Sequence, residues 1–131
     1  MPPARALILV VDDDPDMRGL LRSHLAGAGY EVAEAESAAA AHERLAERVP
    51  HLIVSDISMP ETNGVEFVAN LRKESVLAQV PVIYLTSLEP NTELAVRTLG
   101  YPLLSKPVNA RELLALVKRQ LRAPGRETPE G

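Results

Sequence analysis

The chain has 131 residues, a length for one compact domain with no room for a second of ordinary size. Hydrophobic residues make up 46% and aromatics 3%, so a sizeable core is expected, and an aliphatic one. The formal charge of −4 argues against a broad electrostatic footprint for DNA or RNA, and the absence of cysteine excludes disulfides, thiolate metal sites and cysteine nucleophiles. Met1 to Ala6 has no apolar stretch followed by a cleavage site, and no apolar run approaches the ~20 residues of a membrane span. The expectation is a soluble cytoplasmic protein.

Short aliphatic runs alternate with helix-like stretches. Leu7 to Val11 is the first run. Asp14-Pro15 then offers a cap with proline in the first turn. Met17, Leu20, Leu21 and Leu25 follow at spacings of three and four, and Gly27 and Gly29 stop that helix. A weaker strand is expected around Tyr30 to Ala35, then a Ser37-capped, alanine-rich helix carrying Leu45. Leu52 to Val54 is the third run. The Asn63-Gly64 turn leads into a helix with Val65, Val68 and Leu71 inward. Val82 to Leu85 is the fourth run, a short helix follows Pro90 with Leu94 and Leu99, and Leu103-Leu104 is the fifth run. The last helix is capped by Asn109 with Glu112 three residues on, and Leu113, Leu114, Val117 and Leu121 line one face. Residues 5–122 form the expected domain. Residues 123–131, with Pro124, Gly125, Pro129 and Gly131, read as a flexible tail or linker.

Continuous aliphatic runs suit strands buried on both faces. Strands alternating with helices imply an α/β fold, (βα) five times over, with a parallel sheet and helices on both faces. In such a sheet every C-terminal strand end lies on one edge, where ligands bind. The first run delivers Asp12, Asp13 and Asp14 there, the third Asp56, the fourth Thr86 and Ser87, and the fifth Lys106 before Pro107. The second leads to Glu34 and Glu36 without so tight a cluster.

Three carboxylates in one place repel one another, and a hard divalent cation with oxygen ligands resolves this. A carboxylate beside Mg²⁺ is also a nucleophile able to form an aspartyl phosphate. Phosphoryl transfer needs positioning and charge neutralisation, and Lys106 offers a cation and Thr86 a hydroxyl. Plainer roles fit other residues. Asp14 is a helix cap; Lys118, Arg119 and Arg122 are a solvated helix end; His24, His42 and His51 share no spacing and read as structural or surface groups.

Leu9-Val10-Val11-Asp12-Asp13-Asp14-Pro15, Ser55-Asp56-Ile57-Ser58-Met59-Pro60, Asn63-Gly64, Pro81-Val82-Ile83-Tyr84-Leu85-Thr86-Ser87 and Ser105-Lys106-Pro107 together resemble the receiver domain of two-component response regulators, over roughly residues 5–122. The resemblance implies a flavodoxin-like, doubly wound parallel sheet in strand order 2-1-3-4-5. It implies that Asp56 is the phosphoacceptor and that Mg²⁺ is held by Asp13 directly, by Asp12 through water, by Asp56 and by the Ser58 backbone carbonyl. Lys106 would pair with phosphoryl oxygens, its bond to Pro107 would be cis, and Thr86 would move toward the phosphoryl group. The implied donor is a sensor histidine kinase or a histidine phosphotransfer protein. The implied output is a changed face of fourth helix, fifth strand and fifth helix that binds a downstream protein or a second copy, with no direct nucleic-acid or membrane binding. The chain would assist its own phosphorylation and dephosphorylation without being a turnover enzyme. Ser58 and Leu88 would flank an attacking water, and neither is an acid or amide, so slow self-hydrolysis is expected.

One departure stands out. The family places a switch Tyr or Phe three residues before the lysine; here that residue is Leu103, with Tyr101 two residues earlier. Either Tyr101 takes the switch role from a shifted strand or no aromatic reports on Thr86, and the second is the expectation. Other functions fit less well. A haloacid-dehalogenase-type phosphohydrolase wants Asp-x-Asp after the first strand, where Pro15 breaks the pattern, and its nucleophile would not sit on the third strand. A flavin or nucleotide module wants a phosphate-cradling loop where this chain has three carboxylates. A receiver cut from a longer regulator or hybrid kinase, or a docking module independent of phosphorylation, remains an alternative.

Overall fold

The computed structural model describes residues 5–57, 64–74, 76–86 and 102–122. The strands are β1 Leu7–Val11, β2 Glu31–Ala35, β3 Leu52–Asp56, β4 Val82–Thr86 and β5 Leu103–Ser105; the helices are α1 Pro15–Gly27, α2 Ala38–Glu47, α3 Gly64–Leu71 and α4 Ala110–Arg122. All pairings are parallel, in the order β2-β1-β3-β4-β5. The expected helix after Pro90, with Leu94 and Leu99, and the tail 123–131 lie outside the described residues.

The unbroken aliphatic runs follow from the layering. Along β1, β3 and β4 successive side chains alternate between two cores. Leu9, Val11, Ile53, Val82 and Tyr84 face α2 and α3, meeting Ala41, Leu45, Phe67, Val68 and Leu71. Ile8, Val10, Leu52, Val54, Ile83 and Leu85 face α1 and α4, meeting Leu21, Leu25, Leu113 and Val117. Every residue of β1, β3 and β4 is buried, whereas edge strand β2 is mostly half-buried, which explains its weaker sequence signal.

The caps hold the helices where the sequence places them. Asp14 accepts from the Asp16 N–H at 2.9 Å, Ser37 from the Ala40 N–H at 3.1 Å and Asn109 from the Glu112 N–H at 3.0 Å. The end of α1 differs from expectation. Gly27 is still helical; the turn is made at Gly29, with φ of +98°, while the Tyr30 N–H donates to Leu25 O at 3.1 Å. That bond uses the amide of Tyr30, so β2 begins one residue later.

Three further readings are corrected by packing. Leu20 is 41% exposed, because its neighbour Leu21 takes the inward direction. Phe67, the one phenylalanine, is fully buried, and so is Tyr84, so the core is not purely aliphatic. β3 runs through Asp56 and β4 through Thr86, two residues and one residue past the aliphatic runs, because polar side chains there still belong to the ladder.

Candidate functional site

The strand ends bring their polar groups to one edge. Asp12 follows β1 directly and is fully buried, with its N–H donating to Ala35 O of β2 at 3.1 Å. Its Oδ1 accepts the Asp14 N–H at 2.9 Å, tying the start of α1 to the acidic side chain. Asp13 is exposed. Asp56 closes β3 with 5% exposure, and Thr86 closes β4 with 1%. The Lys106 N–H donates to Thr86 O at 2.7 Å, extending the β4–β5 register far enough to aim the lysine across the sheet edge.

Lys106 Nζ donates to Asp56 Oδ2 at 3.2 Å and lies 3.1 Å from Asp12 Oδ2. One cation therefore bridges two nearly buried carboxylates. Burial of the ammonium works against its charge, but the short contact with Asp12 and the charge of Asp56 outweigh it, holding the group above the ordinary lysine value. The lysine thus stays charged through neutral pH.

Carboxylate oxygens of Asp12, Asp13 and Asp56 lie within 4.8 Å of one another. Asp12 Oδ2 is buried, and Lys106 approaches it as an ion pair off the hydrogen-bonding direction. A single ammonium shared among three carboxylates leaves net negative charge. Oxygen ligands, that charge and one exposed carboxylate open to water suit a hard divalent cation of the Mg²⁺ kind, which keeps waters and takes few carboxylates. The group is chemically able to bind such an ion and to present a carboxylate nucleophile beside it.

Of the residues singled out from sequence, Asp12, Asp13, Asp56 and Lys106 come together, and Thr86 ends the strand between those of Asp56 and Lys106. Ser58, Ser87, Leu88 and Tyr101 lie outside the described residues. Leu103 is half-buried and packs on the α2–α3 side of the core. The peptide bond between Lys106 and Pro107 is cis, as the resemblance implies.

Sequence reasoning missed three supporting groups. Arg18 Nη1 donates to Asp12 O at 2.8 Å. Glu34, set aside for lacking a cluster, pairs with Arg18 at 3.4 Å and Arg22 at 3.5 Å. Ser55 is fully buried and donates to Asp56 O at 3.0 Å. Arg18 and Arg22 sit one helical turn apart, a spacing that marks a shared face but not what that face meets.

The fold and this edge define a receiver-type signalling module. The response regulator receiver domain pattern matches residues 8–118, and the chain belongs to that family. The phosphate regulon transcriptional regulatory protein PhoB of Pseudomonas aeruginosa is 35% identical over 120 residues, covering 90% of this chain and 52% of that protein. An uncharacterised 14.6 kDa protein of Leptolyngbya boryana is 40% identical over 114 residues, covering 86% of this chain and 87% of that protein. The signal receiver domain of a signal transduction histidine kinase from Syntrophus aciditrophicus superimposes with a TM-score of 0.83 at 30% identity, covering 94% of this chain and 95% of that one. The chain spans about half the length of the curated transcriptional regulators it matches. Receiver domains are signalling modules of two-component systems, not turnover enzymes, and bind Mg²⁺ at an acidic aspartate cluster. Among the described residues no helix is long and apolar enough to cross a membrane.

Proposed function

We propose that this chain is a phosphorylation switch in which Asp56 takes a phosphoryl group from the phosphohistidine of a sensor histidine kinase or phosphotransfer protein. The observation that carries this reading is the Lys106 bridge between Asp12 and Asp56 beside exposed Asp13. An Asp56 carboxylate oxygen attacks phosphorus as the P–N bond breaks. The imidazole nitrogen keeps the bond pair and takes a proton, leaving neutral histidine and an acyl phosphate.

Asp12, Asp13, Asp56 and the Ser58 carbonyl would hold Mg²⁺. Bound there, the ion would supply charge neutralisation for the phosphoryl oxygens. Lys106 releases its bond to Asp56 and follows the phosphoryl oxygens, and the buried Thr86 hydroxyl donates to them. The phosphoryl group adds roughly −2 charge at this edge. Movement of Thr86 and Lys106 then biases the surface of β5 and α4 between two arrangements, which a downstream protein or a second copy reads.

Intact-protein mass after incubation with acetyl phosphate tests this. Uptake of one phosphoryl group is expected only with Mg²⁺ and only with Asp56 present. Equal uptake by Asp56→Ala would overturn the assignment, and no uptake by folded, Mg²⁺-binding protein would leave a fixed docking module.

A further inference from the structure

The acidic pair at the end of β1 is fastened from outside the site. Asp12 donates its N–H to Ala35 O, and its carbonyl accepts from Arg18 Nη1 at 2.8 Å. That carbonyl belongs to the planar peptide unit joining Asp12 to Asp13. Holding it fixes the plane, and the plane sets where the Cα of exposed Asp13 stands relative to buried Asp12.

The arginine is itself held. Its Nε lies 3.4 Å from Glu34 Oε1, and its side chain is only 17% exposed. Arg22 sits 3.5 Å from the other Glu34 oxygen, and Arg44 Nε donates to the Glu34 carbonyl at 3.1 Å. The planar guanidinium presents donors in fixed directions, so one group reaches both a carbonyl and a carboxylate; a lysine ammonium lacks that fork.

We infer that Arg18, oriented by Glu34, is a positioning residue that sets the divalent-cation affinity of the Asp12–Asp13–Asp56 group by fixing the Asp12–Asp13 peptide. The inference rests on the proposed metal site and extends it to two residues that touch neither the ion nor the phosphoryl group. Two effects of Arg18 oppose each other, and their signs separate them. Its positive charge near the site repels a cation, so removing the charge alone would tighten binding. Its hold on the peptide favours binding, so losing the fork weakens it, by roughly tenfold on the scale of outer-sphere partners.

The test is Mg²⁺ titration of the full chain, followed by the backbone amide signals of Asp12 and Asp13, with thermal melting alongside. Arg18→Lys keeps the charge and loses the fork; Arg18→Ala loses both; Glu34→Gln keeps an acceptor for Arg18, and Glu34→Ala does not. Expected are dissociation constants raised roughly tenfold in Arg18→Lys, by less in Arg18→Ala, where the lost charge offsets part of the loss, by less also in Glu34→Ala, and near wild type in Glu34→Gln. Tighter binding by Arg18→Ala, or unchanged binding in folded Arg18→Lys, would overturn the positioning role while leaving the metal site standing. Should Arg18→Ala fail to fold, Arg18→Lys and the Glu34 pair decide alone. Wild-type protein that binds no Mg²⁺ would overturn the metal site and this inference with it.

Discussion

Lys106 is the residue on which the site's electrostatics turn. Replacing it with methionine leaves Asp12 and Asp56 facing each other without their shared cation. The metal-free protein should lose about 1–3 kcal/mol, the scale for leaving buried polar groups unpaired. Mg²⁺ binding should tighten at the same time, because a competing positive charge has gone. Denaturant melts and a Mg²⁺ titration check the two effects, and weaker Mg²⁺ binding would contradict the account. A second residue-scale prediction concerns the far end of the sheet. Arg48 bonds Glu31 through two contacts, at 2.7 and 3.2 Å. That hydrogen bond, helped by the guanidinium charge, holds the Glu31 carboxyl below the usual carboxylate range. A lowered carboxyl adds stability above its unfolded value and loses it as pH falls through the folded value. Both side chains face solvent, so salt weakens the pair and the effect on stability is small. The titration of the Glu31 carboxyl carbon should move up toward the ordinary range in Arg48→Gln.

Among the elements, α1 and α3 differ in how they are secured. α1 depends on its start, where Asp14 caps it and Asp12 holds the Asp14 amide. Asp14→Ala should cost about 1 kcal/mol, whereas Leu20→Ala on the exposed side should stay within about 0.5 kcal/mol. α3 is secured by its buried face of Phe67, Val68 and Leu71, of which Phe67 is the largest. Phe67 is fully buried and meets the His42 ring edge-on, with centroids 5.5 Å apart. Phe67→Ala should cost about 3–5 kcal/mol in a denaturant melt, and a loss near 1 kcal/mol would show that the site collapses around the gap. The sequence carried most of these elements. Central strands were legible because both faces are apolar, and the caps because Asp14, Ser37 and Asn109 precede apolar periodicity. Boundaries were less so. Ser55, Asp56 and Thr86 look like loop residues by polarity, yet their backbones complete the ladder. Phe67 escaped notice because Val68, its neighbour on the helix, already met the expected spacing, yet both are buried in the core shared with α2.

On the scale of the whole molecule, function depends on strands from distant parts of the chain ending together. Asp12, Asp56 and Lys106 are far apart in sequence and meet through β-sheet register alone. Their convergence was legible because a parallel sheet gathers C-terminal strand ends at one edge. The support from Arg18 and Glu34 was not, since it depends on how α1 packs over edge strand β2. The same architecture predicts how phosphorylation spreads. Thr86 belongs to β4, and its carbonyl accepts from the Lys106 N–H just after β5, so a pull on its side chain acts beside β5, whose Leu104 packs with Leu113 and Val117 of α4. Thr86→Ala should still take up phosphate, but amide shifts in β5 and α4 on phosphorylation should shrink. Identical shifts in both proteins would remove Thr86 from the coupling.

The proposed switch turns on Asp56 as the point of covalent attachment. Borohydride reduces an acyl phosphate to an alcohol, so a phosphorylated aspartate is converted to homoserine and can be located by tandem mass spectrometry. After treatment with acetyl phosphate and Mg²⁺, homoserine is expected at position 56 and nowhere else. Homoserine at position 12 or 13, or none at position 56 in protein that has gained a phosphoryl group, would contradict it.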